Sequence, residues 1–182
     1  MKKHHFGLLF LACLFMTCAE LQRMEVRNPS RSKPKTSTPP KTPTPTKAGK
    51  LPVFPVTGQS SRNIISYFGD ERAGGTRRHE GIDIGAPRGT TVLSVCNGEV
   101  TRVVEKGNGG KQVWVLSSDG TRTFYYAHLD KQLVEEGRDI KVGDILGTVG
   151  NTGNAAGGPT HLHFEVIDQN GKSMDPLPFM PI

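Results

Sequence analysis

The chain has 182 residues, 35% hydrophobic and 22% charged, with a formal net charge of +6, which allows one ordinary domain with a real core plus appendages. The charge is not spread evenly: residues 23–50 carry eight Lys or Arg against one acid, whereas residues 51–182 carry 13 against 15. The basicity therefore belongs to a tail, and nucleic acid is excluded as an expected partner of the folded part.

The chain opens on "MKKHH" and the apolar run "FGLLFLACLFM" at residues 6–16, too short to span a bilayer but the right length for the core of an export signal. Residues 1–18 therefore read as a signal peptide. Its end is ambiguous, because "MTCA" offers a small-x-small cleavage site at Thr17 and Ala19 and also a loose lipobox in which Cys18 is the residue acylated. Cys13 is a weaker alternative, since it leaves a shorter apolar run. Either end implies export to a bacterial envelope, as a periplasmic protein or as a lipoprotein with a membrane anchor through its lipid.

Residues 19–50 are basic and rich in Pro, Thr and Lys, with six prolines in "NPSRSKPKTSTPPKTPTPTKAGK". With so little apolar surface the segment cannot offset the entropy of folding, and it reads as a disordered linker. At ~3 Å per residue, residues 23–50 would reach at most about 85 Å. The sharper alternative to a solvated spacer is a tail whose cations hold it against an anionic surface.

From Leu51 onward the texture changes to short alternating runs punctuated by Gly, Asn and Asp. Asn97-Gly98 and Asp119-Gly120 sit between apolar runs and predict two-residue hairpins. "DKQLVEEG" is the one candidate helix, of two turns at most. Cys96 is the only cysteine of this part, so no disulfide forms within it, and its apolar neighbours predict a small buried side chain. The predicted fold is all-β and mostly antiparallel, a sheet or partly open barrel-like sandwich of duplicated hybrid-motif type, behind the disordered N-terminal tail.

Four histidines fall in the domain, in "RRHEGIDIGAP", "YYAHLD" and "THLHFEV". His161 and His163 are two apart on a predicted strand and share a face with Glu165, while Leu162, Phe164 and Val166 point to the core. Two imidazoles so placed could be solvent decoration, a metal grip or a catalytic pair. His79 and Asp83 are four apart, about 13 Å along an ideal strand, so binding one metal requires a bend at Glu80-Gly81. Imidazole and carboxylate suit zinc, and His79, Asp83 and one histidine of the "HLH" strand would make three ligands with a fourth position open.

The stretches "HEGID", "YYAHL" and "GGPTHLHFEV", in that order, closely resemble the lysostaphin-type (LytM-like) zinc endopeptidases that cut peptidoglycan peptides, over residues 61 to about 179. The resemblance implies that His79, Asp83 and His163 bind one Zn²⁺. His128 and His161 become the unligated catalytic pair, one helping to deprotonate a zinc-bound water and the other binding or protonating the tetrahedral intermediate. It also implies a cleft floored by the sheet and walled by residues 69–78, 105–111 and 151–158. Glu165 is then a group that accepts a hydrogen bond from a ligand histidine. Arg77 and Arg78 either meet substrate carboxylates or belong to a solvated loop.

Residues 51–182 are accordingly expected to be a LytM-like peptidase domain acting on peptidoglycan peptide. The competing reading is a non-catalytic member of the family that activates a cell-wall amidase or engages another envelope partner. A biotinyl- or lipoyl-like carrier is a third, prompted by "GEVTRVVEKGN" and "VKVGDILG", but it lacks the Met-Lys hairpin tip and leaves the histidines unexplained.

Overall fold

The computed structural model describes residues 51–181. The predicted signal peptide with Cys18, and the predicted linker over 19–50, lie outside the described residues.

Thirteen strands make up the fold, and among the described residues no α-helix occurs, only 3-10 turns. The main sheet takes β1 (Ile64–Ser66), β4 (Ile82–Gly85), β12 (His161–Asp168), β8 (Arg122–Ala127), β7 (Lys111–Ser117), β6 (Gly98–Glu105) and β10 (Asp139–Ile140) in that spatial order, with β13 (Ser173–Met174) on β12. A second sheet runs β5 (Thr91–Leu93), β11 (Ile145–Val149), β9 (Leu129–Gln132). A two-stranded ribbon, β2 (Glu71–Arg72) with β3 (Arg77–Arg78), belongs to neither. Every strand pair is antiparallel, so the fold is the all-β antiparallel sandwich the alternation predicted.

The core lies between the two sheets. Val92, Leu129, Leu146 and Val149 from the small sheet join Ile82, Ile84, Val113, Val115, Phe124, Tyr126, Leu162, Phe164 and Val166 from the large one in a single buried cluster. Period-two alternation then decides what faces outward on the three central strands. Asp83 on β4, Tyr125 and Ala127 on β8, and His161, His163 and Glu165 on β12 share the outer face, opposite residues that are fully buried.

Two expectations change. Asn97-Gly98 is not a hairpin turn, because β5 pairs with β11 whereas β6 pairs with β7 and β10, so the chain crosses from one sheet to the other there. Gly98 is required instead by close approach: a Cβ on it would stand 2.0 Å from the Leu116 carbonyl oxygen. "DKQLVEEG" is not helical; its start belongs to β9, whose main chain pairs with β11. Gln132 adds a reason, since its Nε2 donates to the carbonyls of Val104 (2.8 Å) and Gln112 (2.7 Å) and ties β9 to the large sheet. The Asp119-Gly120 hairpin does form between β7 and β8, with a four-residue loop at 118–121 in place of two.

Candidate metal centre and its cleft

Asp83 and His163 are direct partners across β4 and β12, so their side chains rise side by side from the sheet. His79 precedes β4 and is brought over the same spot by a bend at Gly81. Its backbone is fixed at the neck of the β2–β3 ribbon: His79 N–H donates to Asp70 O (2.8 Å), and Gly69 N–H donates to His79 O (2.8 Å). Only glycine fits at 81, because a Cβ there would lie 2.3 Å from the Phe164 carbonyl oxygen and 2.7 Å from Glu165 Cγ. The predicted bend is present, and the reason for glycine is the passage of β12 beneath it.

Three donor atoms converge as a result. His79 Nε2 lies 3.1 Å from Asp83 Oδ1 and 3.0 Å from His163 Nδ1, and His163 Nδ1 lies 2.9 Å from Asp83 Oδ1. The far side of each ring fixes its tautomer. His79 Nδ1 faces the Tyr67 carbonyl at 2.8 Å, and His163 Nε2 faces Glu165 Oε1 at 2.7 Å. Both oxygens can only accept, so those nitrogens carry the protons. His79 Nε2, His163 Nδ1 and Asp83 Oδ1 therefore aim lone pairs at one another, which is repulsive unless a cation stands among them.

A proton is one such cation. Burial disfavours a charged His163, but hydrogen bonds to Asp83 and Glu165 outweigh it and raise its pKa to about 9. For Asp83 burial works against ionisation, yet the His163 and His79 contacts hold its carboxyl well below the usual range. A metal fits better than a proton. Donors ~2.0–2.1 Å from a tetrahedral ion stand roughly 3.3 Å apart, close to the spacing observed, and two imidazoles with a carboxylate form a zinc-type donor set. Among the described residues this trio is the one group of three or more such side chains close enough to hold an ion.

His128 and His161 flank the trio differently. His128 Nδ1–H donates to Thr152 O (2.8 Å) and His161 Nδ1–H donates to Pro159 O (2.9 Å). Each ring thus leaves Nε2 without a protein hydrogen-bond partner, and the ring centroids are 5.0 Å apart. His161 Nε2 stands 3.8 Å from Asp83 Oδ1. Burial, then the neighbouring His161, lower the His128 pKa to about 4, so its ring is neutral at pH 7. The His128 backbone is left-handed, with φ 59°, a conformation that side chains other than Gly adopt uncommonly and functional sites retain. It is held by His128 N–H donating to Gly109 O (2.9 Å).

All five residues open onto one cleft of about 470 Å³, and each of the three predicted wall segments contributes, through Arg77, Asn108 and Asn154 among others. Glu165 Oε1 accepts from His163 Nε2–H, and Ser173 Oγ donates to its other oxygen (3.4 Å). Tyr125 and Trp114 extend the floor, their rings 4.3 Å apart. Arg77 and Arg78 both line the cleft, and Arg78 pairs with Glu71 at 3.3 Å.

Two residues escaped the sequence reading. Arg72 donates to Asp83 Oδ2 at 2.7 Å and to Ser66 Oγ at 2.8 Å. Thr152 presents its carbonyl to His128 while its hydroxyl accepts from Lys111 N–H (2.9 Å) and donates to Leu129 O (2.9 Å). Arg72 and Arg77 are cross-strand partners on one face of the ribbon, so alternation does not single out Arg72, and nothing in the sequence marks a carbonyl as a histidine's partner.

Known proteins share this fold and sequence pattern. The catalytic domain of lysostaphin from Staphylococcus simulans superposes with a TM-score of 0.57 at 31% identity, covering 62% of this chain and 87% of that one. The L-Ala--D-Glu endopeptidase of Bacillus subtilis (strain 168) is 33% identical over 138 residues, 70% of this chain and 42% of the relative. The murein hydrolase activator NlpD of Escherichia coli (strain K12) is 34% identical over 121 residues, 65% of this chain and 29% of the relative. The chain therefore spans less than half the length of either relative. The family model for Peptidase family M23 matches residues 77–176, a span that contains all three donors and both flanking histidines, and the chain belongs to that family.

Proposed function

We propose that the chain is an exported zinc metalloendopeptidase that hydrolyses peptide bonds in the stem peptides or cross-links of peptidoglycan. The domain of residues 51–182 carries the chemistry, residues 1–18 direct export, and 19–50 tether the domain, with Cys18 as the candidate acylation site. What supports the reading above all is the converging trio of His79, Asp83 and His163 beside two histidines that keep a free Nε2.

His79, Asp83 and His163 would hold one Zn²⁺, and the bound ion supplies a Lewis acid that lowers the pKa of a water and polarises the scissile carbonyl. The chain's own residues do the rest. Glu165 fixes the His163 ring so that Nδ1 and not Nε2 faces the donors. His128 and His161, each anchored at Nδ1, offer Nε2 to the cleft. One takes a proton from the attacking water and returns it to the leaving amine; the other, protonated, donates to the oxygen on which charge develops.

The likeness to a murein hydrolase activator favours a second reading, a non-catalytic partner of a cell-wall amidase. The presence of all five residues in one cleft favours hydrolysis over it. Metal analysis of the purified chain with digestion of purified sacculi decides, wild type beside His161→Ala. The expected result is about one zinc in both, peptide-cleaved muropeptides from wild type and none from the variant. A wild type that neither holds zinc nor cuts sacculi gives the function to the activator reading. Zinc lost from the variant shows that His161, not His163, belongs to the metal.

A further inference from the structure

The β2–β3 ribbon forms one wall of the cleft, yet it pairs with no strand of either sheet. Besides the backbone bonds between His79 and the Gly69 and Asp70 positions, it meets the floor through one side chain. Arg72, about a third exposed, places Nη2 2.7 Å from Asp83 Oδ2 and 2.8 Å from Ser66 Oγ. Ser66 Oγ in turn donates to Asp70 Oδ2 (2.8 Å), which also accepts from Tyr67 N–H (2.8 Å). The guanidinium is thus held by Ser66, whose Oγ also lies 3.4 Å from His79 Nδ1.

The two oxygens of Asp83 have different partners in consequence. Oδ1 faces His79 and His163, and Oδ2 is taken by a short charge-assisted bond. A free carboxylate can give a metal either one oxygen or both; a carboxylate with Oδ2 bound to guanidinium gives one. We propose that Arg72 is a positioning residue for the metal centre, restricting Asp83 to a single donor oxygen and tying the ribbon wall to that donor. The proposal rests on the metal-centre reading above and adds to it a residue that acts through Asp83.

The test measures Zn²⁺ and Co²⁺ affinity of the full chain by chelator competition, with the visible absorption of the Co²⁺ form, for wild type, Arg72→Gln, Arg72→Lys and Ser66→Ala. Removing a partner that orients a metal ligand weakens binding roughly 10–100-fold, and that is the loss expected for R72Q. Its Co²⁺ absorption should weaken as well, because an Asp83 free to give both oxygens raises the coordination number above four. R72K restores charge without the planar fork and should recover part of the affinity. S66A, which leaves the Arg72–Asp83 bond intact, should lose a few-fold at most. Amide hydrogen exchange over residues 71–78 should speed up in R72Q.

R72Q with wild-type affinity and an unchanged Co²⁺ spectrum overturns the proposal. R72Q that unfolds leaves R72K and S66A to decide, and wild-type affinity and spectrum in both then overturn it. A wild type that binds neither metal defeats the metal-centre reading and this proposal together. A wild type that binds metal but cuts no sacculi, with the affinity loss present in R72Q, supports Arg72 while removing the peptidase reading.

Discussion

Five residues of the cleft, four histidines and one aspartate, form two groups held in opposite ways. In the trio of His79, Asp83 and His163 each residue is held from behind while its donor atom faces the others: Tyr67 O, Arg72 and Glu165 serve as backing. In the pair of His128 and His161 each ring is anchored once, at Nδ1, by a main-chain carbonyl, and Nε2 has no protein hydrogen-bond partner. The first arrangement is stable only with a cation in the middle. The second leaves a base ready for use. Under the proposed function, the first group would hold the metal and the second would handle protons.

If this contrast is correct, deletion in the trio and deletion in the pair must separate metal from activity. Asp83→Ala or His163→Ala should remove metal: if three donors share roughly 10–16 kcal/mol of binding, losing one costs about 4 kcal/mol, or about 10³-fold in affinity. His128→Ala should leave metal affinity near wild type while abolishing sacculus digestion. Metal analysis after dialysis reads the first, and equal losses in D83A and H128A would erase the distinction. Gly81→Ala attacks the floor under the trio, since its Cβ would meet the Phe164 carbonyl at 2.3 Å. Overpacking against main chain should destabilise the domain by about 3 kcal/mol, measured as a lowered denaturation midpoint, whereas Gly89→Ala, with nothing within 4 Å but φ +86°, should cost only its backbone strain, about 1 kcal/mol.

Acidity sharpens the contrast at a smaller scale. His163 is raised to about 9 from an ordinary 6.5, so in the metal-free protein it carries a proton at pH 7 that a metal must displace. Apparent Zn²⁺ affinity should fall about tenfold per unit as pH drops below 9. For the metal-free fold the sign is reversed: a raised histidine contributes stability that is fully present below 6.5 and is lost as pH rises through 9. Chelator competition and denaturation, each at pH 6, 7 and 8, should therefore move in opposite directions. Metal affinity that is flat with pH would mean that no proton occupies the trio.

The parts of this site that depend on alternation were legible in the sequence. "HLHFEV" and "GIDIG" give period two, which fixes His161, His163, Glu165 and Asp83 on the outer face without knowledge of their neighbours. The sheet assignment of β5 and β6 was not legible, because an Asn-Gly pair between apolar runs has the same appearance whether the runs pair or part. The strand start within "DKQLVEEG" was hidden likewise, since only pairing with β11 selects it. Arg72 was hidden among three arginines of one ribbon that all line the cleft, and only its 2.7 Å contact with Asp83 Oδ2 sets it apart.

Thr152 marks the limit of such reading and supplies the smallest test. Its carbonyl holds the His128 ring, and its hydroxyl fixes that carbonyl between Lys111 N–H and Leu129 O, where the 105–111 and 151–158 segments meet. Gly110 and Gly153 allow that meeting, as a Cβ on Gly110 would stand 2.4 Å from Gly153 N. Thr152→Val keeps the shape, removes both hydroxyl bonds and leaves the Lys111 N–H unpaired, at a cost of about 1–3 kcal/mol. The carbonyl remains, so His128 is loosened and not released, and kcat should fall about fivefold, about 1 kcal/mol in barrier, with zinc content unchanged. Thr152→Ser keeps the hydroxyl and should restore kcat. If T152V loses zinc instead, the two groups are mechanically joined; if T152S fails to recover, the threonine methyl and not the hydroxyl positions His128.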